Sequence, residues 1–573
     1  MRRVDRIRAA KSIYRALFST NAAHVDGLAV LAGAALLLWP AIWNRYPIVF
    51  ADTGTYLSQA IDRYAGWDRP VFYSIAIFPL HAMRSLWPVV AAQALLTAWL
   101  LRRICRLATP SLGAFGFLLL VSGLGVGTCL PWLVSEVMPD LLTPLLILVL
   151  WALAWRPEWM TPRETLLLIV LAAFMIATQQ SSVPLSLAIA GVAMAMPRRG
   201  RSALSPAGTQ PFRSAMASDD PVMVSHDPVM ASDDPVMVSH DPVMVSHDPA
   251  MASDDPVMAS DDPVMARLDR AIPCRGDAFH PVVNRREMAR SSRAMTGHSA
   301  AYTASRRHSP RHTPPMRPHP LLAVLLPPIL AVLALCTANL AAHGRFAISP
   351  YGNVFLLARV LYDGPGMEAL QHDCPNARWR LCAFRNRMPA SSDAFLWTAD
   401  SPLNLAGGPK QVSTQANAII HAALRADPIG AAAAALRNTL AQLTHFASGD
   451  GLSPWPDEVT PVITTAFPAA EVARYAAARQ QAGVLTLPPP LPTLHRIVAI
   501  AGVIAALFLL PNAWRRRNPA VGLLIVMLVA LPVSAAVTGA LSGPHDRYQA
   551  RLMWLPAFVV PLVLVSARRP ARR

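Results

Sequence analysis

Three short stretches carry residue types that can do chemistry, and each lies beside a long apolar run. The first is Tyr46–Tyr73, YPIVFADTGTYLSQAIDRYAGWDRPVFY, with Asp52, Asp62 and Asp68 among Tyr56, Arg63 and Arg69. The second is Pro131–Asp140, PWLVSEVMPD, whose Glu136 and Asp140 are spaced to share one face if helical. The third is Ser542–Arg551, SGPHDRYQAR, which holds His545, Asp546, Arg547, Tyr548 and Arg551. A carboxylate can take a proton from an attacking hydroxyl or amine. An arginine can hold a phosphate bidentately and neutralise charge on a phosphate leaving group. Ionisable residues pinned at a membrane surface are often functional. Each stretch also has a plainer reading: a solvated loop for the first, helix capping beside Pro139 for the second, and interfacial anchoring by arginine and tyrosine for the third.

The elements that must position these residues are apolar. The chain has 573 residues, 53% hydrophobic and only 15% charged. The apolar residues come in runs long enough to cross a bilayer. They are Val25–Trp43, Leu86–Leu101, Leu112–Leu130, Leu141–Trp155, the short pair Thr165–Ala177 and Val183–Met196, Leu321–Ala342, Leu494–Leu510, Val521–Leu541 and Leu552–Val565. Val71–Met83 is too short to cross and reads as interfacial or re-entrant. The expectation is an all-α polytopic membrane protein with about 10 transmembrane helices and a mainly helical periplasmic domain.

Net charge is +17. The arginines cluster at the ends of the runs, as in RRICR (Arg102–Arg106), Arg515–Arg517 and the terminal ARRPARR, so most of the excess reflects topology. A smaller part suits anionic lipid headgroups, and nucleic acid is not an expected partner. The arginine clusters lead to the expectation that both termini are cytoplasmic, and the expected location is a bacterial inner membrane. The basic start (1–24) has no cleavable signal and leads into a retained anchor. It is followed by a membrane core (25–196) with a first periplasmic loop (44–85), a cytoplasmic insert (197–319), a span (320–342), a soluble periplasmic domain (343–493), the last membrane helices (494–567) and a basic tail (568–573).

Within the insert, Met216–Val264 is seven tandem copies of a seven-residue unit. Proline in every copy removes a helix donor and clashes with the preceding turn, so the period is not that of a coiled coil. The segment reads as disordered low-complexity sequence. In the outer domain, Cys374 and Cys382 are close enough in sequence to form a disulfide in an oxidising compartment, the other reading being two buried thiols. Asp427 is placed to cap a helix beginning at Pro428, with Leu436, Leu440 and Leu443 on one face. The chain lacks a P-loop, a Gly-x-Ser-x-Gly elbow and a His-Glu-x-x-His helix, and no zinc spacing or other metal set is evident among its six cysteines.

FADTGTYL (Phe50–Leu57), RPVFYS (Arg69–Ser74) and PDLLTPLLIL (Pro139–Leu148), in that order, resemble the GT-C class of integral membrane glycosyltransferases. That class includes protein O-mannosyltransferases and lipid A aminoarabinose transferases. Its members resemble one another in an acidic first outer loop, often followed by a Pro-Pro-Leu-Tyr-Tyr-like segment. Here Arg69 stands for the first proline, and Asp52-Thr53 stands where an Asp-Glu pair is usual. The resemblance covers roughly 25–196 and 321–565 and implies an inverting transferase that needs no cofactor. The implied donor is a polyprenyl-phosphate-linked sugar. The acceptor is a periplasmic glycan, lipid or protein. Asp52 takes the position of the catalytic base. Arg69, Arg547 or Arg551 would bind the lipid phosphate, with Tyr56, Asp68, Glu136, Asp140, His545 and Tyr548 around the substrates. Two other functions fit the same chain: a transporter or flippase for a lipid-linked or anionic solute, and a non-catalytic envelope assembly protein. The first would require ionisable groups within the spans, and the second would rest on the outer domain.

Overall fold

The computed structural model describes residues 24–196, 320–374 and 376–567. The basic N-terminus, the repeat insert and the basic tail lie outside these residues. Among the described residues every regular element is helical, apart from one isolated parallel bridge between Ile48 and Glu136. The first half contains α1 (His24–Leu37), α2 (Trp39–Asn44), α3 (Ala51–Ile61), α4 (Phe72–His81), α5 (Trp87–Ala108), α6 (Ala114–Gly127), α7 (Leu130–Ser135), α8 (Leu142–Trp155), α9 (Pro162–Thr178) and α10 (Ser182–Ala195). The second contains α11 (Pro320–His343), α12 (Gly352–Asp363), α13 (Gly366–Asp373), α14 (Ser392–Trp397), α15 (Pro402–Leu405), α16 (Gly408–Ala426), α17 (Pro428–Thr444), α18 (Thr460–Ala466), α19 (Ala469–Ala476), α20 (Leu491–Arg515), α21 (Val521–Leu541), α22 (Asp546–Ala550) and α23 (Leu555–Ala567).

Among the described residues, five helices are long and apolar enough to cross a membrane: Trp87–Ala108, Leu321–His343, Leu491–Arg515, Val521–Leu541 and Asp546–Ala567. A sixth candidate is the pair α16–α17, bent by 102° at their junction. The other apolar helices are shorter. The chain around Gln179 forms the expected break between two short helices, α9 and α10.

Helix α8 is apolar around its whole circumference, and every residue from Leu142 to Trp155 is buried. A helix of that kind belongs at the centre of a bundle. The bundle has two polar ends. At one, Asp26 near the start of α1 pairs with Arg102 (2.6 Å) and with Arg106 at the end of α5. Arg103 pairs there with Glu164 in the first turn of α9. The opposite end of α8 begins at Asp140, and the functional candidates gather around it.

The segment expected as one outer domain is built in two parts. Helices α12 to α16 share a core of their own around Leu357, Phe395 and Ile419. Cys374 and Cys382 are joined by a disulfide at its edge, with Cα atoms 5.3 Å apart. Residues around α18 and α19 instead join the large core of the bundle through Val459, Ile463, Phe467 and Tyr475. Asp427 caps α17, accepting from the Gly430 N–H at 2.7 Å as expected. The faces of α17 are the reverse of a water-soluble helix. Leu436 and Leu440 point outward, while Ala434, Asn438 and Gln442 are buried. The helix packs most extensively on the apolar α21, where a Cβ on Gly539 would come within 2.6 Å of the Asn438 carbonyl. Polar groups turned to the bundle and leucines turned away suit a helix facing lipid.

The return segment fastens the first loop. Gln480 is 1% exposed. Its amide accepts from the Val49 N–H (3.0 Å) and donates to the Val49 carbonyl (2.6 Å). Glu471, also 1% exposed, accepts from the Tyr46 hydroxyl and the Leu86 N–H, each at 3.0 Å. Extended backbone has no partners of its own, so these side chains supply them. Replacing Gln480 with alanine strands both Val49 backbone groups. The expected cost is about 2–4 kcal/mol, read as a lower unfolding temperature in detergent. An unchanged temperature would show that the contact carries no stability.

Candidate functional site

The backbone around Asp52 is shaped by its neighbours. Phe50 is extended and caps α3, its N–H donating to Thr53 Oγ1 at 2.9 Å, while the Thr53 hydroxyl donates to the Val137 carbonyl at 3.1 Å. Asp52 thus falls in the first turn of α3, where the helix dipole favours an anion. Gly54 follows because the chain at Glu458 crosses there: a Cβ would lie 1.8 Å from the Glu458 carbonyl oxygen.

Three distant segments then meet in a chain of alternating charges. Arg69 Nη2 lies 2.9 Å from Asp52 Oδ1. Arg547 Nη2 bridges Asp52 Oδ2 (3.3 Å) and Asp140 Oδ2 (3.2 Å). Arg551 Nη1 lies 2.8 Å from Asp140 Oδ1 and 2.7 Å from Gln179 Oε1, and the Thr143 hydroxyl donates to that same amide oxygen at 2.6 Å. The order is Arg69, Asp52, Arg547, Asp140, Arg551, so three cations enclose two anions and one positive charge is left over. Arg551 and Asp140 are 2% and 4% exposed, whereas Arg547 and Arg69 are 19% and 23% exposed. Access therefore comes from the Arg69–Arg547 side. A guanidinium has five N–H donors. Arg547 uses only Nη2 among the described residues, leaving Nη1 and Nε for a ligand.

The loop that carries Arg547 is held from several directions. Gln442 exchanges two hydrogen bonds with the His545 backbone (2.8 and 3.0 Å). Asp546 accepts from the Ala447 N–H at 2.7 Å, and Asp450 accepts from the Arg547 N–H at 3.1 Å. The Arg547 guanidinium lies over the Phe50 ring, 4.1 Å from its centroid. The His545 ring meets Asp393 at 3.2 Å, an outer-core contact that turns it away from the carboxylate–arginine chain.

Beside Arg547 lies a cavity of about 40 Å³ lined by Ile48, Phe50, Trp132, Glu136, Asp450 and Arg547 among others. That is room for roughly three waters. One wall is the loop 447–452, with Gly449 and Gly451 at φ +96° and +85°. Glu136 is half-buried on this cavity. Its residue is extended rather than helical, because the Ile48 bridge takes its backbone. The four-residue spacing to Asp140 therefore does not place the two carboxylates on one helical face. Asp140 pairs with Arg547, while Glu136 lines the same cavity without pairing with it. No hydrogen bond or ion pair reaches the Glu136 carboxylate among the described residues.

The carboxylates of Asp52 and Glu136 behave oppositely. Burial alone would raise Asp52, but Arg69 and Arg547 outweigh it and hold the carboxyl below the ordinary range. Burial pushes Glu136 up to about 8, and the neighbouring Asp140 charge adds to the effect. Tyr56 is buried with its ring edge-on to Tyr73 at 5.0 Å, so it supports the site rather than lining it. Tyr548 lies under both Arg547 and Arg551. Asp68 takes no ion pair, and burial raises its carboxyl. Cys374 and Cys382 belong to the outer core, away from this cluster. Among the described residues, no group of three or more His, Cys, Asp or Glu side chains is placed to hold a metal ion.

Sequence reasoning did not single out Thr143, Gln442 or Asp450. Their one signal is polar sequence at the ends of apolar runs. In comparisons with known protein families, curated proteins and solved structures, the chain matches none.

Breaking the inner pair tests how much the cluster carries. Asp140→Asn leaves the buried Arg551 guanidinium without its counter-ion, at an expected cost of about 3–5 kcal/mol. Adding Arg551→Met is expected to recover much of that loss. Thermal unfolding of both variants checks it, and equal losses in the two would contradict a charge-pair origin.

Proposed function

We propose that this chain transfers a sugar from a polyprenyl-phosphate-linked donor to an acceptor at the outer face of a membrane. The observation that carries this reading is the alternating chain with its surplus positive charge. Arg547 is 19% exposed, and its Nη1 and Nε make no hydrogen bond among the described residues. A fork of that kind suits a phosphate that gains charge as its bond to the sugar breaks. The phosphate sits against Arg547 and Arg69, and the acceptor hydroxyl comes from the cavity side. The cavity as it stands has room only for water, so admitting a sugar requires it to widen.

The reading places the site on the periplasmic side of a bacterial inner membrane. Ten crossings arise when α1, α6, α8, α9 and α10 join the five long spans. Support for the direction comes from the arginines: Arg102, Arg103 and Arg106 lie at the end of the bundle opposite Asp140, as the positive-inside rule asks of a cytoplasmic end. Helices α12 to α16 form the periplasmic part, both termini are cytoplasmic, and α17 lies against the bilayer. The acceptor is a periplasmic glycan, lipid or protein.

Transport is the weaker alternative. The cluster lies at the ends of helices, with Asp140 just before α8 and Arg547 and Arg551 at α22, rather than midway along a span.

Asp52→Asn leaves Arg69 and Arg547 facing each other without their shared anion. It is expected to lower transfer by at least ~100-fold while the protein stays inserted and folded. The measurement is sugar transfer from native membrane lipids by wild type and variant at matched expression. Equal activity of the two would overturn the role of Asp52. No transfer by either, with native lipids and membrane extract as acceptor, would overturn the transferase reading.

A further inference from the structure

We propose that Glu136 takes the proton of the acceptor hydroxyl, with Asp52 positioning the arginines rather than acting as the base; the inference rests on the transferase reading above. The two aspartates are occupied. Asp52 lies between Arg69 and Arg547, and Asp140 between Arg547 and Arg551. Protonating either would remove the negative charge that two arginines share. Glu136 has no such partner, and it lines the cavity beside Arg547. Its backbone is fixed on two sides. Gln93 donates to its carbonyl at 2.8 Å, and the bridge to Ile48 holds the flanking peptides. The side chain is therefore the freely ionisable group on the face from which an acceptor enters.

The step balances as follows. A lone pair of the acceptor oxygen forms the new bond to the anomeric carbon. The bond from that carbon to the phosphate oxygen breaks, and its electron pair stays on the polyprenyl phosphate, held by Arg547 and Arg69. The hydroxyl proton passes to the Glu136 carboxylate and then leaves through the cavity to water. No oxidant, reductant or further co-reactant is needed.

The groups around Glu136 set its protonation. Asp140 at the start of α8, Asp450 on the loop 447–452 and Asp52 on α3 favour the neutral acid, and Arg547 on α22 opposes them. Tyr73 on α4 and Cys129 before α7 also face this region and are neutral at ordinary pH. Because Glu136 is raised to about 8, its basic form grows as pH rises toward that value. A general base so placed sits near working pH and contributes typically 10²–10⁴-fold.

The test uses the full-length protein in native-lipid nanodiscs. The donor probe is undecaprenyl-phosphate-linked sugars carrying tritium, extracted as the total lipid-linked fraction. Wild-type transfer is expected to rise with pH and level off above about 8. Glu136→Gln is expected to lower kcat by ~100-fold or more, to leave the donor KM unchanged and to abolish the pH limb, while Glu136→Asp restores part of both. Folding is controlled by sign. A carboxyl raised in the folded state adds stability below its unfolded value and loses it as pH climbs through about 8, so Glu136→Gln should be no less stable than wild type above that pH. A second readout needs no substrate: an infrared protonated-carboxyl band that titrates near 8 in wild type and is missing from Glu136→Gln. Wild-type kcat and an intact pH limb in Glu136→Gln would overturn the proposal, as would the lack of that band. If Asp52→Asn stops transfer and Glu136→Gln does not, the transferase reading survives and the role of Glu136 falls. If wild type transfers nothing, both fall together.

Discussion

One nitrogen joins the loop and helix after α2 to the far end of the chain. Arg547 Nη2 lies 3.3 Å from Asp52 and 3.2 Å from Asp140, residues separated from it by more than four hundred positions. A charge taken out of water is costly unless it is paired. Here each buried or half-buried charge is paired with the next, so removing any member strands its neighbours. Arg551 and Asp140 form the dry inner end, and Arg69 and Arg547 the wetter outer end. That gradient lets one cluster be both a fastening and a site.

Much of the surrounding architecture serves to hold these groups at their ends. Helix α8 is buried along its whole length and presents Asp140 from the centre of the bundle. Thr53 and Gly54 set the first turn of α3, one by hydrogen bonding and one by leaving room for the chain at Glu458. Gln480 and Glu471 return from the late segment to satisfy the extended backbone before Asp52 and the hydroxyl of Tyr46. Gln442 does the same for the loop bearing Arg547. The guanidiniums are thereby held in place, and the phosphate we propose for the site would meet groups already aimed.

The helical class and the apolar runs were legible in the sequence, because apolar runs and arginine clusters are local patterns. Among the described residues, however, only five helices, or six with the bent pair, are long and apolar enough to cross a membrane. The members of the ion chain were also legible one by one: Asp52, Arg69, Asp140, Arg547 and Arg551 all stood at the borders of apolar runs. Their pairing was not, since it depends on contacts between residues hundreds of positions apart. Glu136 shows a second limit. A spacing of four suggests a shared helical face only where there is a helix, and the Ile48 bridge keeps that residue extended. Helix α17 shows a third. The spacing of Leu436 and Leu440 marks a face, but spacing cannot tell whether that face turns to protein, water or lipid. Ala434, Asn438 and Gln442 are buried in the helix that packs on α21, which turns Leu436 and Leu440 away from the bundle.

The measurement that bears most directly on the phosphate-binding role of the ion chain is a structure of the protein in nanodiscs with undecaprenyl phosphate bound. The expected result is the lipid phosphate within hydrogen-bond distance of Arg547 Nη1 or Nε, with Arg69 beside it and Asp140 still paired to Arg551. A phosphate bound elsewhere, with Arg547 still closed on Asp52 and Asp140 and its other donors in water, would contradict it.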